Sequence, residues 1–270
     1  MSLRLNTSMS SLAVQRHLFQ ASTEKNGHLR RLSSGLRIDR ASDDAAGLGI
    51  AERMNSRIRS MVVAERNVQD GISLLETFEG YLGELSQILM REKELVLQAS
   101  NETLNAEDLA ILEQEHQVNA NEITRIINDA EFNGQSLMTG LGQIQIHVGT
   151  GAGETVGIDT VNYSPLGPGL SVAHMDVEVG RAWILDLADE YVSIVSDLRG
   201  TLGAKSNRMS SALRGLMRGR SDLTAAHSRI RDADVATETA GLTRSSILEQ
   251  AGVAILSQAL QQPSIALQLL

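Results

Sequence analysis

Glu113-x-x-His116 is the one place where the chain spaces side chains as a helical metal site would. A carboxylate and an imidazole three residues apart share a helix face, and di-iron helical bundles use two such units with two further carboxylates. None of the other histidines (His17, His28, His147, His174, His227) has a glutamate three residues before it. Half a site is not a site, and His116 is expected as a partly exposed polar residue in a helix seam. Gly149-Thr150-Gly151-Ala152-Gly153 invites comparison with a phosphate cradle, but it lacks the Gly-Lys-Ser/Thr ending and is flanked by alternating residues on both sides. It reads as a hairpin turn. There is no Gly-x-Ser-x-Gly elbow for a nucleophilic serine, and there is no cysteine for thiolate chemistry, disulfides or Cys-ligated zinc. Asn6, Asn101 and Asn162 begin sequons, which arise by chance at this frequency. The expectation is a protein without catalytic residues, cofactor, metal or small-molecule substrate.

The elements that carry these residues are mainly helical. Apolar residues make up 42% of the 270, yet only 3% are aromatic, so the buried surface is aliphatic and suits helices in contact along their length. Met54, Met61, Val68, Leu75, Leu82, Leu89 and Val96 stand seven apart, supported by Ile58, Ala64, Ile72, Phe78, Leu85 and Ala99. This heptad seam predicts one helix over 43–100, begun by Ser42-Asp43-Asp44 and ended by a turn at 101–105. A second helix is predicted over 106–130 from Leu109, Leu112, Ile123, Ile126 and Ala130. A third, over 176–232, follows from Ala188, Val195, Leu202, Met209, Leu216, Leu223 and Ile230. Residues 131–175 differ, with nine of the 23 glycines and two of the three prolines. Ile144, Ile146 and Val148, then Val156 and Ile158, alternate about the Gly-rich turn as a β-hairpin does.

The two ends resemble each other. Leu5, Met9, Leu12 and Phe19 form one apolar stripe. Leu248, Ala251, Ile255 and Ala259 form another, and the sequence closes on Ile265-Ala266-Leu267-Gln268-Leu269-Leu270. Residues 1–42 carry a charge of +5 and residues 233–270 a charge of −2, which favours their pairing. Such a pair buries its stripe fully only against further copies of itself. The net charge of −9 argues against nucleic acid as a partner. No run reaches bilayer-spanning length, and no signal peptide is evident at the start, so the chain is expected either to be cytoplasmic or to leave the cell without a cleaved signal.

At this point the sequence resembles bacterial flagellin. The resemblance rests on Leu3-Arg4-Leu5-Asn6-Thr7, on Arg31-Leu32-Ser33-Ser34-Gly35-Leu36-Arg37-Ile38 and on Ala41-x-Asp43-Asp44-Ala45-Ala46-Gly47-Leu48. It continues in Arg66-Asn67, Asp70 to Thr77 and Phe132-Asn133-Gly134. Near the other end it covers Ser228 to Asp234, Ile247-Leu248-x-Gln250-Ala251-Gly252 and Leu269-Leu270. It implies the repeating subunit of a flagellar filament, exported unfolded and placed outside the cell, with the terminal helices lining an inner tube. That tube would be built by 1–42 with 233–270. A rod of long helices would comprise 43–139 and 176–232, with 140–175 as hairpin and loop. The inner-tube contacts would be Leu5, Met9, Leu12, Phe19, Leu248, Ala251, Ile255, Leu267 and Leu270. In many flagellins the helix face matching Arg91, Leu95 and Glu115 is a protofilament interface and the surface read by an innate-immune receptor. Glu92 stands where the family usually has a neutral residue. The resemblance further implies other flagellin copies, a filament cap, hook-junction proteins and an export chaperone as partners. The large outer domains of many flagellins are expected to be absent. The alternative within the same family of folds is a hook–filament junction protein.

Overall fold

The structure, a computed structural model, describes residues 9–268. Its elements in chain order are α1 (Met9–Ser34), α2 (Ala45–Ala99), α3 (Ala106–Asp129), β1 (Glu131–Phe132) and β2 (Gln135–Ser136). There follow β3 (Gly142–His147), β4 (Thr155–Thr160), α4 (Leu166–Ser171), α5 (Glu178–Arg231) and α6 (Val235–Gln268). The fold is mainly α, as expected, and the three long helices begin and end within three residues of the boundaries read from the sequence. Contacts divide the chain into two compact units, one running to Ile58 and from Ser221, the other Arg59–Arg220.

In the Arg59–Arg220 unit the heptad seam does what its spacing requires. Val68, Leu75, Leu82, Leu89 and Val96 of α2 are buried, with Phe78 and Leu85 between them. Ala188, Val195, Leu202 and Met209 of α5 answer from the other side, and Ile123 and Ile127 of α3 complete the core. Ion pairs of Arg220 with Glu65, Arg199 with Glu79 and Lys93 with Asp189 show that α2 and α5 run antiparallel. Asn105 caps α3, accepting from the Glu107 and Asp108 amides while the Asp108 carboxylate accepts from the Asn105 amide. The Gly-rich segment is the turn of the β3–β4 hairpin, with Ile144 opposite Ile158 and Ile146 opposite Val156. That hairpin lies where Gly71 leaves room. A Cβ there would stand 3.0 Å from Ile146 Cγ2 and 3.1 Å from the Met209 thioether.

Two elements exceed the sequence expectation of a single hairpin. β1 and β2 form a second, two-residue hairpin, turned by Asn133 (φ 49°) and Gly134 (φ 75°), both in the left-handed region. Adjacent positive φ values match the twist of a two-residue hairpin loop, and Asn-Gly meets them at least cost. The single turn α4 follows the larger hairpin and packs on α3, with Gly167 close against the Thr124 hydroxyl. No large outer domain interrupts 131–175.

In the other unit α1 and α6 lie side by side along their length. Lys25 Nζ meets Glu249 at 2.7 Å, His28 Nδ1 meets Glu238 at 2.6 Å, and Arg31 reaches Glu238 at 3.2 Å. Small residues set the spacing: Ala21 and Ser245 are buried, Gly252 faces Leu18, and Gly241 lies under the His28 ring. Where α1 stops, Gly35 takes φ 71° and its N–H bonds back to the Arg31 carbonyl. Leu36 pairs with Asp232 in an isolated β-bridge, and the Arg37 guanidinium donates to the Ile230 carbonyl at 2.7 Å. The break between α5 and α6 therefore lies beside the break after α1. Asp44 starts α2 by accepting from the Gly47 amide at 2.8 Å, and Gly47 itself has no room for a Cβ beside Ile38.

Candidate assembly interface

The charge pattern accounts for how α1 and α6 meet, but their apolar stripes stay largely uncovered. Met9, Leu12 and Phe19 of α1 are exposed, Phe19 at 75% of its surface. On α6, Leu248 and Ile255 are 51% and 52% exposed, and Ala251 is exposed beside them. Leu248, Ala251, Gly252 and Ile255 face Val14, Leu18 and Ala21 across an open apolar groove, with Glu24 and Arg244 at its margin. Of the nine residues expected in the inner tube, Leu248, Ala251 and Ile255 line this groove, while Met9, Leu12 and Phe19 are exposed on α1 outside its lining. Leu5 and Leu270 lie outside the described residues, as does the side chain of Leu267. Exposed apolar residues on both members of a helix pair are the kind of surface that marks a protein–protein contact.

The polar residues around it stabilise the pair. Glu238 is drawn in two directions: burial raises its pKa, while the bonds from His28 and Arg31 lower it, and the balance lies below the usual glutamate value. Asp43, in the loop before α2, is held below the ordinary aspartate value chiefly by the Arg40 amide. These contacts give the Arg31–Gly47 block, the longest of the flagellin-like motifs, its structural work: it ends one helix, turns the chain and starts the next.

The second expected face divides. Arg91 and Glu115 lie together at the surface, the guanidinium donating to Glu115 at 2.8 Å and reaching Glu94 at 3.1 Å. Leu95 does not share that surface; its side chain is completely enclosed in the core beside Val96.

Glu113 and His116 also differ from expectation. His116 is not partly exposed but wholly buried, with Nδ1 2.5 Å from a Glu92 carboxylate oxygen and Nε2 3.1 Å from the Leu170 carbonyl. Burial lowers its pKa, and the Glu92 bond and charge, the Leu170 carbonyl and Glu113 together raise it more, leaving it above the ordinary histidine value. Glu113 bonds the Met175 amide at 2.7 Å and His174 at 3.0 Å. Among the described residues no three His, Asp or Glu side chains gather as metal ligands. No helix among them is long and apolar enough to cross a membrane. The sequence reading missed Glu92 as the partner of His116, because the two meet only once α2 and α3 pack at a fixed register.

The geometry defines a mainly helical protein with two small β-hairpins and a terminal helix pair that carries exposed apolar residues. Comparison with known proteins makes this specific. The family model for the bacterial flagellin N-terminal helical region matches residues 5–143, and that for the bacterial flagellin C-terminal helical region matches 185–270. A flagellin of Halalkalibacterium halodurans is 40% identical over 98% of this chain and 99% of its own. The crystal structure of Bacillus cereus flagellin is 30% identical and covers 56% of this chain and 88% of its own, with a TM-score of 0.51. A putative flagellar hook-associated protein from Vibrio parahaemolyticus, 13% identical, covers 70% of this chain and 100% of its own with a TM-score of 0.60, which shows a common fold. The chain belongs to the bacterial flagellin family, and it is a structural subunit of the flagellar filament. The hook–filament junction alternative is not favoured.

Proposed function

We propose that copies of this chain polymerise through the terminal helix pair, which lines the inner tube of a filament that drives swimming. The observation that carries this reading is the uncovered apolar stripe on α1 and α6 of a single copy. The contacts are Met9, Leu12, Phe19, Leu248, Ala251 and Ile255, joined by Leu5, Leu267 and Leu270. Residues 1–42 with 233–270 act as this inner-tube domain. Residues 43–139 with 176–232 act as the helical rod domain, with 140–175 as its hairpin and loop. Arg91 and Glu115 serve a lateral contact between protofilaments, with Leu95 supporting them from within. Fixing the terminal helices in the lattice costs conformational entropy that offsets part of the burial gain. The family resemblance supports the further reading that the subunit is exported without cleavage, held by an export chaperone and added under a filament cap beyond hook-junction proteins. The filament is then extracellular, and the subunit performs no catalysis.

The test is a truncation lacking residues 261–270, seeded and followed by electron microscopy. It should remain soluble and form no tubes; filaments of normal length and diameter would overturn the assignment of the interface.

A further inference from the structure

The connection from β4 to α5 crosses α3 as a strap, and three side chains on one turn of α3 hold its backbone. His116 Nε2 is 3.1 Å from the Leu170 carbonyl, Gln117 Nε2 donates to the Ser171 carbonyl at 3.4 Å, and Glu113 accepts from the Met175 amide at 2.7 Å. Leu166, Leu170, Ala173 and Met175 of the strap are buried beneath these bonds. Filament assembly assigns no task to Glu92 or His116, yet both are completely buried.

The valence of the imidazole ring makes this arrangement sensitive to protons. A backbone carbonyl can only accept, so Nε2 must carry a hydrogen. Nδ1 faces a carboxylate, which also only accepts when ionised. The contact at 2.5 Å therefore holds a proton, either on Nδ1 with Glu92 ionised or on Glu92 with the ring neutral. In both cases the pair is neutral overall. Remove that proton and a buried carboxylate faces a nitrogen lone pair, with no other partner to turn to. The second Glu92 oxygen, Oε1, is already buried without a hydrogen bond.

We propose that Glu92 and His116 form a proton-dependent latch that keeps the 161–177 strap closed on α3 and loosens it as the pH rises. The groups around the latch do not replace the lost proton. From α2, Arg91 is engaged by Glu115 and Glu94, and Lys93 by Asp189 of α5. From α3 itself, Glu113 adds negative charge that favours the protonated ring. From the strap, His174 is bonded to Glu113, and Arg181 at the start of α5 donates to the Met175 carbonyl at 2.7 Å. The direction follows from linkage. A histidine whose folded pKa lies above its unfolded value stabilises fully below about pH 6.5, and that stabilisation is lost as pH rises through the folded value.

The test uses amide hydrogen exchange on the full chain between pH 6 and 10, corrected for intrinsic exchange. Protection of the 166–176 amides should fall by up to tenfold per pH unit once the pair titrates, as expected for loss of one proton. The α2 seam around Leu82 should hold its protection over the same range. Glu92→Gln is the decisive variant. An amide can donate to Nδ1 of a neutral ring, so its strap should show the same protection at pH 10 as at pH 6. Wild-type protection that does not change with pH would overturn the latch. So would an unchanged pH dependence in Glu92→Gln, or one that extends equally to the α2 seam. None of these readouts depends on polymerisation, so the latch and the assembly interface stand or fall separately.

Discussion

If the terminal stripe is the assembly surface, truncating it should weaken polymerisation by an amount set by what a single copy leaves uncovered. Leu248 and Ile255 on α6 are 51% and 52% exposed, so about half of each side chain remains to be buried. Full burial of a Leu or Ile is worth about 1.5–3 kcal/mol, so each leaves about 1 kcal/mol to be gained on assembly. The double variant Leu248→Ala/Ile255→Ala should then lose about 2 kcal/mol per added subunit. That converts to a rise of roughly 30-fold in critical concentration. The assay is sedimentation of seeded polymer across a subunit concentration series, with the helix content of the unpolymerised variant checked by circular dichroism. A variant as helical as wild type whose critical concentration moves less than twofold would refute the reasoning. The buried area would then have to come from elsewhere on the molecule.

Further expectations concern the subunit itself. Phe78→Ala opens a cavity in the α2 seam and should cost about 3–5 kcal/mol in denaturant unfolding, because Phe78 is fully enclosed. Asn105→Ala removes the side-chain half of a capping box, leaves the bond from the residue-105 amide to Asp108, and should cost about 1 kcal/mol, with exchange at the α3 N-terminus rising first. Gly134→Ala places a Cβ at φ 75° and should cost about 1 kcal/mol by the same unfolding assay. Glu238 has a folded pKa below its unfolded value, so its contribution to α1–α6 pairing is complete above about pH 4.3 and is lost as pH falls through the folded value. An acid titration of helix content should show this loss in wild type and not in Glu238→Gln.

Much of the fold was legible because it is periodic. Val68 to Val96 and Ala188 to Met209 announce their burial by recurring every seven residues, and no long-range information is needed to read them. Asn105 and Asp108 are equally local. The β1–β2 hairpin carried a readable signal in Asn133-Gly134, but two-residue strands are too short to show alternation. α4 had no signal. Leu166-Gly167-Pro168-Gly169-Leu170-Ser171 is poor helix material, and tertiary packing of Leu166 and Leu170 holds it. Of the candidate faces, the terminal stripes were legible as patterns of exposed apolar residues. His116 was misplaced because which flank of α2 meets α3 depends on the rotation of one helix against the other. That rotation fixes the contact of Glu92 with His116, 24 residues away, and spacing within one helix does not reveal it.

The bridge between Leu36 and Asp232 has a mechanical consequence. It ties the end of α1 to the gap between α5 and α6, and the Arg37 amide and the Gly35 carbonyl add 2.7 and 2.9 Å bonds to Arg231 and Ala233 across the same gap. Two interruptions laced together act as one fulcrum. α1 cannot slide along α6 without tearing these bonds. A load applied to either terminal helix is therefore shared between the two chain interruptions, because the same bonds join them.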